Sequence, residues 1–176
     1  IDTIDGTTNI LHVVPHLAIS IELKYNNEIT SGLMYDTIKE EMFYAEKNIG
    51  AFLNNKRIRV SKRKKINEGV IASSGNDINI INEKIKDKVT IRNSGSAALD
   101  MAYVASGRYD AYLQKKVSLW YIAAGIVIVK EAGGYIDNID LNKHNNLEVV
   151  ASNFLIESKV RPRLITVYLF SHFVLY

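Results

Sequence analysis

The chain has 176 residues, 47% of them hydrophobic and 23% charged, a composition that supports one globular core and excludes a disordered or linker-rich chain. It has no Cys, which removes disulfide scaffolds, thiolate zinc sites and thiol nucleophiles and makes a reducing, cytoplasmic setting the expectation. A formal net charge of +3 is too small to point by itself to nucleic acid or a membrane surface.

Taken in chain order, Asp2 to Asp5 stand at a strand end, and a helix is expected after Thr8. From His16 to Tyr25 the alternation of Leu17, Ile19, Ile21, Leu23 and Tyr25 with Ala18, Ser20, Glu22 and Lys24 has period two, the mark of a strand buried on one face. Residues 30–35, 41–46 and 50–60 continue as a meander, with turns at Asn26-Asn27 and Asn54-Asn55. Val70 to Ser73 reads as a strand, Asn79 to Val89 as a polar helix and Thr90 to Asn93 as another strand. Apolar residues at helical spacing follow between Ser96 and Ser106, stopped by Gly107, and again from Trp120 to Ala132, stopped by Gly133-Gly134. Leu147 to Ala151 closes the pattern as a strand. A meander with segregated helices predicts an α+β layered domain.

Chemistry concentrates in the first octet, Asp2-Thr3-Ile4-Asp5-Gly6-Thr7-Thr8-Asn9. Two carboxylates three positions apart, with the Ile4 carbonyl turned between them by the Asp-Gly bend, are hard oxygen donors of the kind Mg²⁺ prefers. Gly6, Thr7 and Thr8 add backbone N–H groups and hydroxyls suited to a phosphate. The same octet is also an ordinary turn followed by a helix cap, and in isolation the two readings stand level.

The octet resembles the Asp-Pro-Ile/Leu-Asp-Gly-Thr-Thr-Asn signature of the inositol monophosphatase family, and further likenesses follow in the right order. Val14-Pro15-His16, Gly32-Leu33-Met34-Tyr35-Asp36, Glu41-Met42-Phe43-Tyr44-Ala45 and Gly50-Ala51-Phe52-Leu53-Asn54 are similar to the segments after that signature. The run from Arg92 through Gly95, Ser96, Ala97 and Ala98 to Asp100 resembles the family's Arg-x-x-Gly-Ser/Thr-Ala-Ala element. Trp120-Tyr121-Ile122-Ala123-Ala124-Gly125 and Glu131-Ala132-Gly133-Gly134 resemble its Trp-Asp-x-Ala-Ala-Gly and Glu-Ala-Gly-Gly elements.

The resemblance implies a layered αβαβα fold and a Mg²⁺-dependent, Li⁺-sensitive phosphomonoesterase that hydrolyses myo-inositol monophosphate to inositol and phosphate. It implies that Asp2 bridges two metal ions, that the Ile4 carbonyl binds the first and that Asp5 binds the second. Gly6, Thr7 and Thr8 would hold the phosphate, with Thr7 Oγ also orienting the attacking water as the catalytic group. Gly95, Ser96 and Ala97 would form the inositol-side wall, with Arg92 and Gln114 as further substrate contacts. A homodimer is implied, and no membrane partner. Bacterial relatives linked to ribosomal RNA maturation and the transcription machinery make an RNA- or protein-binding module the alternative.

Three departures predict weak metal binding and little turnover. Tyr121 stands where the family has a metal-binding Asp, replacing a carboxylate with a bulkier phenol that is ordinarily uncharged near neutral pH. The family's other metal-binding and water-activating acids lie upstream of the signature, which here begins one residue after Ile1, so residues 1–153 are expected to form a partial domain. Gln114 stands for a substrate-contacting Glu, and Thr3 for the family's Pro. His12 and His16 have helical metal-pair spacing, but Pro15 between them argues for loop or packing roles. Seven basic residues between Lys56 and Lys65 read as a solvated hairpin end, since aromatics for base stacking are missing from the run. Residues 154–176 form a divergent tail whose apolar run from Leu164 to Tyr176 is too short for a membrane span of roughly 20 residues.

Overall fold

A computed structural model describes residues 1–74, 77–84 and 89–156. The expected apolar run from Leu164 to Tyr176 and the end of the expected helix at Asn79 to Val89 lie outside the described residues. Short extended runs alternate with Asn-rich turns through the first third of the chain and give β1 (Asp2–Asp5), β2 (Ala18–Tyr25), β3 (Glu28–Asp36), β4 (Glu41–Glu46), β5 (Gly50–Leu53) and β6 (Lys56–Arg57). They form one sheet in chain order, antiparallel throughout, with a short helix α1 (Thr7–Leu11) between the first two strands. Asn26 and Asn27 (φ 48° and 61°) and Asn54 and Asn55 (φ 43° and 66°) take the left-handed conformation that a two-residue hairpin turn requires. Asn tolerates that conformation better than other residues with side chains, so both expected turns form where the Asn pairs stand.

The second sheet has the order β10–β11–β9–β7–β8, built from β7 (Val70–Ser73), β8 (Thr90–Arg92), β9 (Ala111–Val117), β10 (Gly134–Ile136) and β11 (Leu147–Asn153). Strand β7 runs parallel to β8 and β9; the other pairs are antiparallel. Helices α3 (Ala97–Ala105) and α4 (Leu119–Glu131) lie between the two sheets, with α4 packed on β2 to β5 on one side and on β10 and β11 on the other. A further helix α2 (Asp77–Lys84) covers the far side of the second sheet, where Ile81 packs with Ile71, Ala111 and Leu113. The order of layers is therefore sheet, helices, sheet, helix, an α+β fold as expected.

Helix α3 begins at Ser96, whose hydroxyl accepts from the Leu99 N–H (3.2 Å), and stops before Gly107 (φ 72°). Of its nine residues, Ala98 to Ala105 are all buried, because both flanks of the helix face a sheet or α4. Its one carboxylate, Asp100, is buried with them.

The alternation in β2 is confirmed, but it is the small-residue face that meets the helices. Ala18 and Ser20 are fully buried, whereas Ile21, Leu23 and Tyr25 are exposed. Close packing explains this: a Cβ on Gly32 of β3 would lie 2.6 Å from the Ala124 carbonyl oxygen of α4. Only small side chains let the sheet approach the helix so closely. Met34 of β3 and Phe43 of β4 are buried in the core, whereas Leu33, Met42 and Tyr44 line a shallow groove on the opposite face.

Candidate active site

Strand β1 ends in Asp5, and the chain turns at Gly6 with φ of 98°. A Cβ there would lie 2.9 Å from the His16 carbonyl oxygen, so the turn needs glycine for both conformation and space. Helix α1 starts at Thr7, two residues earlier than expected, and ends at Leu11 before Pro15. From it the Asn9 amide donates to the carbonyls of His16 (2.7 Å) and Ser94 (2.9 Å), tying the first loop to one 85 positions away. Gly95 (φ 81°) keeps that clamp possible, since a Cβ there would meet Asn9 Oδ1 at 2.8 Å.

Asp5 is 4% exposed, and its Oδ2 accepts from Ser96 Oγ (2.6 Å) and the Ala98 N–H (2.7 Å). The carboxylate therefore sits on free N–H groups at the start of α3, where a negative charge is favoured. Burial nevertheless pushes its pKa up to about 6, with the charge of Asp2 adding to the rise and the Ser96 and Ala98 hydrogen bonds opposing it. Asp100, one turn into α3, accepts from Ser94 Oγ (2.7 Å), and burial raises it to about 7, with the Asp5 charge adding.

These segments enclose a cavity of about 190 Å³. Asp5, Gly6, Thr7 and Thr8 line one side; Gly95, Ser96 and Ala97 line the other; Gln114 and Tyr121 close it. Nine of the residues picked from sequence thus share one cavity, though the first and last are 116 positions apart. Ser74 and Asp100 also line it and were not picked as site residues. Asp100 was legible as a lone carboxylate in the apolar run Ala97–Ala105, since a buried acid needs a reason. Ser74 carried no comparable signal.

Asp2, Ile4 and Arg92 do not line the cavity. Arg92 is exposed and donates to its neighbour's carbonyl, that of Ile91 (3.1 Å). Ile4 is 44% exposed, and its N–H donates to Asp2 Oδ1 (3.3 Å). Asp2 Oδ2 is buried and has no hydrogen-bond partner. Gln114 accepts from the Tyr112 hydroxyl.

An orphaned carboxylate oxygen beside a second acid suits a cation, so Asp2, Asp5 and the Ile4 carbonyl fit one hard divalent ion. The fit goes no further: among the described residues no three His, Cys, Asp or Glu side chains gather as a metal cluster, and Tyr121 brings a phenol, not a carboxylate, to the cavity wall.

His12 caps the end of α1, while His16 packs edge-on against Tyr103 (6.0 Å between ring centroids). The pair does not share a helix, as Pro15 implied. The basic run is largely engaged within the fold. Arg57 donates to the Ile49 carbonyl and Arg59 to the Glu131 carbonyl; Arg63 pairs with the buried Asp110 (3.0 Å), and Lys65 with Glu68. A larger cavity of about 590 Å³, lined by residues such as Lys47, Lys130 and Asp137, contains none of the site residues expected from sequence. No helix among the described residues is long and apolar enough to cross a membrane.

A layered α+β fold in which an acidic strand end faces a glycine-serine loop across one cavity sets the structural class, and comparison with known proteins makes it specific. The model of the inositol monophosphatase family matches residues 1–169, and the chain belongs to that family. It is 34% identical to the inositol-1-monophosphatase of Caulobacter vibrioides, over 93% of this chain and 70% of that protein. It is 39% identical to the Nus factor SuhB of Pseudomonas aeruginosa, over 87% of this chain but only 61% of that protein. Among solved structures, the Thermotoga maritima IMPase superposes with a TM-score of 0.86 at 38% identity, covering 96% of this chain and 68% of that one. The extragenic suppressor protein suhB of Bartonella henselae gives a TM-score of 0.83, also at 38% identity, covering 92% of this chain and 69% of that one.

Proposed function

We propose that the chain carries the phosphate- and polyol-binding half of a metal-dependent phosphomonoesterase site, acting on a small phosphorylated polyol such as myo-inositol monophosphate. The observation that carries this reading is the single cavity shared by the Asp5–Thr8 turn and the Gly95–Ala97 loop. The Gly6 and Thr7 N–H groups and the Thr7 and Thr8 hydroxyls give a phosphate its donors. Thr7 Oγ orients the attacking water, and the Gly95–Ala97 loop meets the polyol with Gln114 across the cavity. Asp2 and Asp5, with the Ile4 carbonyl, hold Mg²⁺, which when bound lowers the pKa of a water and offsets charge on the leaving oxygen. Asp5 is positioned for this by Ser96 and Ala98, whose hydrogen bonds fix its carboxylate from behind.

Tyr121 at the cavity wall leaves the site short of carboxylate, so metal binding is weak and turnover low. The test is phosphate release from myo-inositol 1-phosphate during a Mg²⁺ titration, on the native chain and on Tyr121→Asp. Added carboxylate at this position is expected to lower the Mg²⁺ needed for half-maximal rate by about tenfold, since affinity follows ligand charge. Release without Mg²⁺, or undiminished in Asp5→Asn, would refute the reading.

A second reading, an RNA- or protein-binding module, is favoured by relatives named Nus factor SuhB. Against it, four of the seven basic residues between Lys56 and Lys65 are already held in the intramolecular contacts described above. RNA retention that falls with salt and is lost on neutralising Lys56 and Lys62 would favour it. A homodimer and a cytoplasmic location belong to the same proposal, and sedimentation equilibrium tests the first.

A further inference from the structure

Tyr112 and Gln114 stand two positions apart on β9 and so project from the same face of the sheet. Past them the strand is irregular. Gln114 lies opposite Val149 and Val117 opposite Leu147, so Lys115 and Lys116 together face Glu148, a bulge in which Lys116 takes φ of 54°. The Lys115 N–H at the bulge donates to Asp77 Oδ2 of α2 (2.7 Å), which fixes the strand end that carries Gln114. Tyr112 is 1% exposed, and the one hydrogen bond of its hydroxyl among the described residues goes to Gln114 Oε1. A buried phenol must give its proton to an acceptor, and of the two ends of an amide only the oxygen accepts. The hydrogen-bond network therefore assigns the amide its orientation. Burial first, then the charges of Asp100, Asp5 and Asp77, raises the phenol well above its ordinary pKa, so Tyr112 stays a donor.

With Oε1 held by Tyr112, the free half of the Gln114 amide is Nε2, which has no acceptor among the described residues and is not closed off from the cavity that Gln114 lines. A carboxylate at this position would offer a ligand acceptors; the amide offers it donors. The difference is greatest toward an oxygen that only accepts. A hydroxyl serves either partner by turning its proton, whereas a carbonyl oxygen is served by the amide alone. A charged acceptor suits the cavity less, because Asp5 and Asp100 line it as well. We infer that Gln114, positioned by Tyr112, determines specificity by selecting phosphate esters whose alcohol part carries a carbonyl oxygen. Polyol phosphates still bind, their hydroxyls accepting from Nε2, but the donor gives them no advantage. This selectivity rests on the phosphatase reading for the seat of the phosphate at the Gly6–Thr8 turn, and adds to it which alcohol the far wall prefers. As a sequence position Gln114 reads only as a lost charge; its bond to Tyr112 shows which half of the amide meets the ligand.

The probes are dihydroxyacetone phosphate and glycerol 3-phosphate, which differ only in a carbonyl or a hydroxyl at the middle carbon, with 3-phosphoglycerate as the charged acceptor and inorganic phosphate as the reference. Affinities are read by calorimetric titration in Mg²⁺ and by the rise in melting temperature, on the native chain, Gln114→Glu and Tyr112→Phe. The native chain is expected to bind the ketone about threefold or more tighter than the alcohol, and Gln114→Glu to reverse the order, moving the ratio by about tenfold or more. Tyr112→Phe keeps the ring and frees the amide to turn. It is expected to fold as the native chain does by circular dichroism and to bring the ratio close to one, whereas a loss of packing alone would weaken both esters alike. Equal affinities in the native chain, or a ratio that Gln114→Glu leaves unchanged, would overturn the selectivity. An unchanged ratio in Tyr112→Phe would overturn the positioning role of Tyr112, and tighter binding of 3-phosphoglycerate than of the ketone would overturn the choice of an uncharged acceptor. If inorganic phosphate binds while the ratio is flat, the selectivity fails and the phosphatase reading stands; if neither phosphate nor any ester binds at about 10 mM, both fail.

Discussion

Asp5 and Asp100 are two acids buried in one wall of the cavity, and each holds its proton to a higher pH than it would in the unfolded chain: about 6 and about 7, against an ordinary value of 3.8. Between pH 4 and pH 7 these two groups bind more protons in the folded than in the unfolded state, an effect that His16, lowered by burial, opposes only in the upper part of the window. Stability of the metal-free protein falls as pH rises through that window. Urea denaturation in EDTA at a series of pH values should show the midpoint dropping from pH 4 to pH 7. Asp100→Asn, which still accepts from Ser94 but does not titrate, should flatten the upper part of the fall; a midpoint that rises with pH would contradict the burial of both acids. The acid pair was half legible in sequence. Asp5 stood out in its signature, whereas Asp100 became a site residue only because Ser94 and the start of α3 turn it into the cavity. Asn9 is similar: its residue type was plain, but its clamp on His16 and Ser94 depends on two loops meeting in space.

At the scale of elements, contact between the first sheet and α4 fixes the distance between the two halves of the site. That contact is closest at Gly32, where an added Cβ would lie 2.6 Å from the Ala124 carbonyl oxygen and 2.8 Å from Val127 Cγ1. Backbone on one side leaves little room to yield, so Gly32→Ala should destabilise the fold by about 1–3 kcal/mol, read as a lower urea midpoint with an unchanged slope. An unaltered midpoint would show that the sheet and helix can separate freely. Helices α3 and α4 and the hairpins of the meander were legible because their periods and Asn turns are local. The buried face of β2 was not, since period two says that one face is buried and close helix packing decides which.

For the whole molecule, the order of sheet, helices, sheet and helix leaves the outer face of the first sheet uncovered among the described residues. Ile21 and Leu23 are 39% and 60% exposed there, next to Leu33, Met42 and Tyr44 in the same groove. An apolar patch of this kind binds the dye ANS, and the double variant Ile21→Lys, Leu23→Lys should lower ANS fluorescence by about half or more. Unchanged fluorescence would mean that the face is covered. By itself the sequence determined the class of fold, the family and the two segments that carry the chemistry, because turn residues, helical periods and short motifs act over a few positions. Only the tertiary structure decided that Asp5 docks on the start of α3, that Tyr121 closes the cavity and that Arg63 is tied to Asp110. Each of these depends on segments far apart in the chain being brought together by the packing of two sheets and their helices, a proximity that no local pattern encodes.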